Sequence, residues 1–232
     1  MPKNNSKFND PHIANIKYRS GIIKIDKTIG NRYLKNITCM PHTEPGMKIG
    51  LFGGTFDPPH HGHIAIANIA IKKLGLDQLW WIITPSNPFK DSRSISPLEM
   101  RIELSKSLVT NPLIRITAFE YSMNQQTINT ILKVKNHNKL VDFVWIMGAD
   151  NIINFHHWHQ WKRIVMAVPI AIIDRPREKL NYISSPMVKA FEHARLDEYM
   201  SNTLCKIPPP SWIFIHDKHH IISSTDIKKQ KL

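Results

Sequence analysis

The chain has 232 residues, 42% of them hydrophobic, two cysteines and a net charge of +13. That length can bury the core of a single domain, and no apolar run approaches the roughly 18–20 residues a membrane-spanning helix needs. The polar start MPKNNSKFND lacks the apolar stretch of a secretory signal, and Cys39 and Cys205 make no disulfide framework, which fits a reducing compartment, the cytoplasm. The positive surplus is shared between residues 1–48 and the remainder without a dense Lys/Arg block. Charge therefore predicts an anionic partner without choosing between nucleic acid and a small phosphate-rich ligand.

Residues 1–46 are rich in Asn and Lys and show no sustained period, so they are expected to form a disordered basic extension, with either Met40 or Met47 able to begin a compact protein. From residue 47 the pattern is regular, and residues 47–232 read as one domain. KIGLFG (48–53) predicts a strand, and HGHIAIANIAIKKLG (61–75) a helix stopped by Gly75. LWWIITP (79–85) predicts a strand, and SPLEMRIELSKSLV (96–109) a helix with Ser96 as N-cap, Pro97 in the first position and Glu99 completing a capping box. The strand LIRITAFE (113–120) and the helix TINTILKVKNH (127–137) follow. Next come the strand VDFVWIMG (141–148), the helix HHWHQWKRI (156–164) and the strand VPIAIID (168–174). A helix in SSPMVKAFEHAR (184–195), the strand SWIFIH (211–216) and a last helix SSTDIKKQKL (223–232) complete the chain. Strands alternating with helices, several of them continuously apolar, predict an α/β fold: a doubly wound parallel, Rossmann-like sheet.

Ligands of such sheets sit at the carboxyl ends of the strands, which directs attention to the turn GGTFDPPHHGH (53–63) after the first strand. Gly53 and Gly54 remove side chains where a phosphate chain could approach the backbone. Pro58 and Pro59 keep the turn out of the helix, which then starts near His61 and offers free N–H groups and a positive dipole end. His60 and His63, bracketing Gly62, can donate to phosphate oxygens held over that helix start. The Walker loop GxxxxGK[ST] and the dinucleotide fingerprint GxGxxG are both absent.

GLFGGTFDPPHHGH resembles the GxFGGxFDPxHxGH signature of the nucleotidyltransferase superfamily and, within it, the bacterial nicotinate-nucleotide adenylyltransferases. TPSNPFK (84–90), QTINTI (126–131), WIMGADN (145–151), FHHWHQW (155–161) and ISSTDIK (222–228) follow in the family's order. The resemblance implies adenylyl transfer from ATP to nicotinate mononucleotide, giving nicotinate adenine dinucleotide and pyrophosphate. It implies His60 and His63 as the catalytic pair. The ATP and its phosphates would be lined by Gly53, Gly54, Thr55 and Phe56, by Lys90 and Asp150, and by Ser223, Ser224, Thr225 and Lys228. Lys228 stands where the family usually has Arg, and so lacks the planar bidentate fork. Arg93 and Arg101 are weaker candidates for ligand contact. Thr127 and Trp158 would hold the mononucleotide; Gln126 replaces the family's usual tyrosine, and Trp161 reads as core. His61 is expected to face solvent. His156, His157, His159, His219 and His220 lack the cysteines and spacing of a zinc site, so no resident metal is expected and Mg²⁺ would arrive with ATP. Alternatives are an adenylyltransferase for nicotinamide mononucleotide or another phosphorylated small molecule. In different classes stand a basic nucleic-acid-binding module and a non-catalytic nucleotide sensor.

Overall fold

A computed structural model describes residues 37–85, 95–122, 126–174 and 181–216, together with the backbone of 13–18 and 21–26. The two N-terminal strands, β1 (Ile13–Tyr18) and β2 (Gly21–Asp26), pair antiparallel in a sheet of their own. The main sheet has seven strands in the order β5-β4-β3-β6-β7-β9-β8. These are β3 (Lys48–Gly54), β4 (Gln78–Ile83), β5 (Ile114–Thr117), β6 (Asp142–Gly148), β7 (Ile170–Ile173), the two-residue β8 (Arg195–Leu196) and β9 (Trp212–Ile215). Every pairing within it is parallel.

Because successive strand residues point to opposite faces, the sheet divides the apolar side chains into two cores. Phe52, Trp81, Ile146, Ala171 and Ile213 face α1 (His61–Leu74) and α2 (Leu98–Leu108), which bury Ile66, Ala67, Ala70, Leu98 and Ile102. Leu51, Trp80, Trp145, Ile170 and Trp212 face the other way. There they meet Ile128, Ile131 and Val134 of α3 (Thr127–His137), Ile164 and Val165 of α5 (Trp161–Ala167) and Met187 and Val188 of α6 (Pro186–Ala190). A sheet covered by helices on both faces is the expected doubly wound fold. Chain order runs outward from β3 through β4 to β5 and then returns to β6, so the topological switch point lies between the carboxyl ends of β3 and β6.

Several local expectations shift. Helix α2 is capped at Pro97, not Ser96, and no side chain caps it; the Ser96 N–H donates instead to Asp57 Oδ2 at 2.9 Å. The helix expected over 156–164 is broken: a 3₁₀ turn at Phe155–His157 precedes α5, and Gln160 between them has φ +52°. The helix expected over 184–195 is reduced to α6, which Ser185 caps, between 3₁₀ turns at Asn181–Ser184 and Glu192–Ala194. A nine-residue 3₁₀ segment, Glu198–Lys206, had no counterpart in the sequence reading; it buries Leu204 and Cys205 on the α1 side of the sheet. The stop at Gly75 stands where expected, with φ +62°, a conformation that glycine adopts without a Cβ penalty. The expected last helix, 223–232, lies outside the described residues.

Residues 37–46, grouped by sequence with the extension, pack against this domain. Ile37 joins the core on one face, while Met40 packs against the core on the other. The Ala118 N–H and the Thr117 hydroxyl both donate to Ile37 O, at 2.8 and 3.1 Å. Further along, Thr43 donates to Asn138 Oδ1 and the Gly46 N–H to Leu140 O. The segment therefore runs from the end of β5 to the turn after α3, with apolar contacts to both cores on the way.

Candidate active site

Strand β3 ends at Gly54, and α1 starts at His61. The intervening turn is organised by one aromatic side chain. Phe56 has φ +47°, a left-handed conformation uncommon for a bulky residue, and its ring is buried at 2% exposure. That ring stacks on Trp81 at 4.2 Å between centroids and meets Phe52 edge-on at 5.4 Å. It also lies directly beneath Gly54, where an added Cβ would sit 3.2 Å from Phe56 Cζ. The bareness of Gly53 has a comparable cause: a Cβ there would fall 2.7 Å from Cη2 of Trp145. Each glycine thus has a steric cause within the protein, beside the phosphate approach expected from the sequence, because a ring lies where its side chain would stand.

His60 and His63 come together at the start of α1. Their ring centroids are 3.7 Å apart, His60 is buried and His63 half-buried. The His60 N–H donates to Nδ1 of His63 at 3.3 Å. In the neutral imidazole this places the proton on Nε2, which then serves as a donor. Phe56 holds the other side of the His63 ring, edge-on at 5.0 Å, with Trp81 at 6.0 Å and Phe52 at 6.3 Å behind it. The second imidazole is therefore fixed by both backbone and aromatic packing. His61 faces solvent, as expected.

Across the switch point, Asp150 lies in the first turn of the short helix α4 (Ala149–Ile152), directly after β6, with Asn151 Nδ2 donating to its Oδ1 at 3.4 Å. Trp158 is half-buried, edge-on to Phe155 at 5.2 Å and to Trp145 at 6.3 Å. Trp145 consequently touches both the space above Gly53 and the expected mononucleotide-stacking ring. Trp161 also packs against the core, meeting Phe155 and Phe191. Thr127 is the first residue of α3, and that helix is anchored by a buried contact: the Thr130 hydroxyl donates to Glu120 Oε1. Glu120 is 3% exposed and its Oε2 has no partner among the described residues. Burial pushes its carboxyl above the usual range, with the Thr130 bond pulling the other way. Neither Glu120 nor Phe56's buttressing role was singled out by sequence; an acidic residue in LIRITAFE carried no signal of burial.

Arg101 was expected, if anything, to reach a ligand. It is instead 1% exposed. Its guanidinium donates to Thr55 O and Thr84 O, both at 2.7 Å, and to Pro85 O and Ser96 O, both at 3.0 Å. Burial draws its pKa down, opposed by Asp57 and Glu99. Lys90, Arg93, Ser223, Ser224, Thr225 and Lys228, with His219 and His220, lie outside the described residues. Among the described residues there is no group of three or more His, Cys, Asp and Glu placed to hold a metal ion, and no helix long and apolar enough to cross a membrane.

The parallel doubly wound sheet thus sets paired imidazoles at a helix start beside its switch point, where ligands of such sheets bind. A family model described as cytidylyltransferase-like matches residues 51–230. The chain is 48% identical over 191 residues to a probable nicotinate-nucleotide adenylyltransferase of Mesorhizobium japonicum, covering 82% of this chain and 98% of that protein. It is 49% identical over 183 residues to one of Agrobacterium fabrum, covering 78% and 98%. The chain belongs to the cytidylyltransferase-like family, on the branch of the nicotinate-nucleotide adenylyltransferases, and is a nucleotidyltransferase. The same fold is seen in the solved structure of Plasmodium falciparum nicotinic acid mononucleotide adenylyltransferase complexed with NaAD, at a TM-score of 0.60 and 18% identity, covering 79% of this chain and 83% of that one.

Proposed function

We propose that the chain transfers the adenylyl group of ATP to nicotinate mononucleotide, forming nicotinate adenine dinucleotide and pyrophosphate, as a step of NAD biosynthesis. The observation that carries this reading is the imidazole pair at the start of α1, 3.7 Å apart at the carboxyl end of the central strand, in a chain with relatives 48% identical over most of its length. The mononucleotide's 5′-phosphate oxygen attacks the α-phosphorus of ATP in line. The bond from that phosphorus to the oxygen bridging to the β-phosphate breaks, and pyrophosphate leaves. Such a transfer needs positioning and stabilisation of charge around phosphorus, with no covalent enzyme intermediate.

In this reading the turn from Gly53 to Phe56 lines the phosphates. His60 and His63 donate to the oxygens on which charge builds, His63 through Nε2 because Nδ1 accepts the His60 N–H. Asp150 serves the ATP from the far side of the crevice. Thr127 and Trp158 hold the mononucleotide, with Trp158 backed by Phe155 and Trp145. Lys90, Ser223, Ser224, Thr225 and Lys228 are assigned to the phosphates on the resemblance of their motifs. Mg²⁺ comes to the site as part of the substrate, held mainly by phosphate oxygens and water. We take residues 47–232 as the transferase domain, with 37–46 packed onto it between the end of β5 and the turn after α3. We place the reaction in the cytoplasm, which suits the free thiols of Cys39 and Cys205.

Pyrophosphate release is the test, with ATP and nicotinate mononucleotide compared with ATP and nicotinamide mononucleotide. The expected result is a higher kcat/KM for the acid. A preference for the amide would move the chain to the alternative substrate, and no pyrophosphate from either would remove the assignment.

A further inference from the structure

The guanidinium of Arg101 has no exposed face for a ligand, yet its four hydrogen bonds all end on loops at the ligand edge of the sheet. Nη1 is shared between Thr55 O, in the turn leading to His60, and Thr84 O, directly after β4. Nη2 takes Pro85 O, and Nε takes Ser96 O. Pro85 and Ser96 lie on the two sides of segment 86–94, which carries Lys90. Two other bonds reinforce the same junction: the Ser96 N–H to Asp57 Oδ2 at 2.9 Å, and the Thr84 N–H to Gly54 O at 2.9 Å. One planar cation thus ties the turn after β3 to the end of β4 and to the approach to α2.

We propose that Arg101 is a positioning residue for the ATP half of the reaction, locking the Gly53–His60 turn and both stems of the 86–94 segment into one rigid unit. This rests on the adenylyl-transfer reading above. A guanidinium suits the task because its donors diverge in a fixed plane and can satisfy several carbonyls at once. Lysine could replace the charge but not the fork. None of the acceptors belongs to α3 or to the Trp158 turn, so the mononucleotide side is not directly held by Arg101.

The test compares Arg101→Lys and Arg101→Met with Leu204→Ala, a core truncation on the 198–206 segment, which contains no candidate site residue. Tm, kcat and the KM of each substrate are measured for all of them. A displacement of about 1 Å at reacting groups can cost on the order of 100-fold. Arg101→Met is therefore expected to lower kcat/KM for ATP by roughly 10- to 100-fold, with the KM for nicotinate mononucleotide within about twofold of wild type. Arg101→Lys should fall between. Leu204→Ala should lower Tm and leave kcat/KM unchanged at 25 °C. If Arg101→Met does not fold, Arg101→Lys decides. Variants with normal kcat/KM for ATP, or with the KM raised equally for both substrates, would overturn the proposal. Should the wild-type protein release no pyrophosphate, the adenylyl-transfer reading fails first. Affinity for a non-hydrolysable ATP analogue then serves as the readout: equal binding by wild type and both variants overturns the positioning role, and weakened binding by the variants supports it.

Discussion

Gly53→Ala isolates what the bare end of β3 is for. An alanine Cβ at that position would lie 2.7 Å from Cη2 and 3.2 Å from Cζ2 of Trp145. Carbon atoms in ordinary contact sit about 3.5–4.0 Å apart, so the indole must retreat by nearly 1 Å. It has little room to do so. Trp145 is 2% exposed, on a strand paired to both β3 and β7, with Trp158 against its edge. Overpacking of this kind costs about 1–3 kcal/mol, which for a domain of this size lowers Tm by roughly 2–12 °C. Removing the obstacle should remove the cost. In a Trp145→Phe background, which lacks the outer six-membered ring, Gly53→Ala should be nearly neutral, so the double-mutant cycle should show a coupling of about 1–3 kcal/mol. Urea unfolding of the four proteins measures it. Additive effects within about 0.5 kcal/mol would refute the steric argument. A variant with unchanged stability and only a raised KM for ATP would instead restore phosphate approach as the glycine's purpose.

Three further outcomes concern buried or paired titratable groups. Burial raises the pKa of Glu120 above its reference of 4.5, so this carboxyl favours folding most when protonated; its contribution is full below that value and is lost as pH rises through the folded pKa. Glu120→Gln should therefore gain stability relative to wild type as pH rises above about 4.5, read by urea unfolding across pH 4–8, and a gap that stays constant or narrows in the other direction would contradict it. For Glu198, desolvation is the largest single influence and pushes upward, but the His216 ring and backbone N–H together with Lys73 outweigh it and hold the carboxyl below its usual range. The resulting stability is present above the unfolded pKa and is lost as pH falls through the folded one. Glu198→Gln should thus cost no more than about 1 kcal/mol near neutrality, less in high salt, with the deficit closing in acid; a salt-independent deficit would argue against ion pairing. Finally, the free thiol of Cys205, with its pKa pushed up to about 12 by burial, should react with a thiol reagent far more slowly than exposed Cys39 in the folded protein. Equal rates would show that the 198–206 segment opens.

The fold was legible where each strand and helix carried its own signal. The continuous apolar run at 79–83 marks a strand buried on both faces, and the apolar spacing from residue 127 places α3 at its observed ends. Legibility failed where tertiary contacts outweighed local preference. Ser96 reads as an N-cap, yet its backbone is used by Asp57 and Arg101, and the helix starts one residue later. The segment 156–164 has helical spacing, but Gln160 turns left-handed and splits it. Within the site, His60 and His63 could be found from their spacing and the preceding glycines. The packing of a ring against Gly53 could not, because Trp145 is 92 residues away in sequence. The same holds for Arg101, whose burial depends on four carbonyls contributed by two loops, the turn after β3 and the connection from β4 to α2.

The account depends most on the two imidazoles serving the triphosphate, and the kcat of His63→Ala for pyrophosphate release tests that directly. Loss of a donor to charge developing in the transition state predicts a fall of about 100- to 1,000-fold in kcat, with the wild-type Tm retained within a few degrees. A folded His63→Ala protein turning over at the wild-type rate would contradict it.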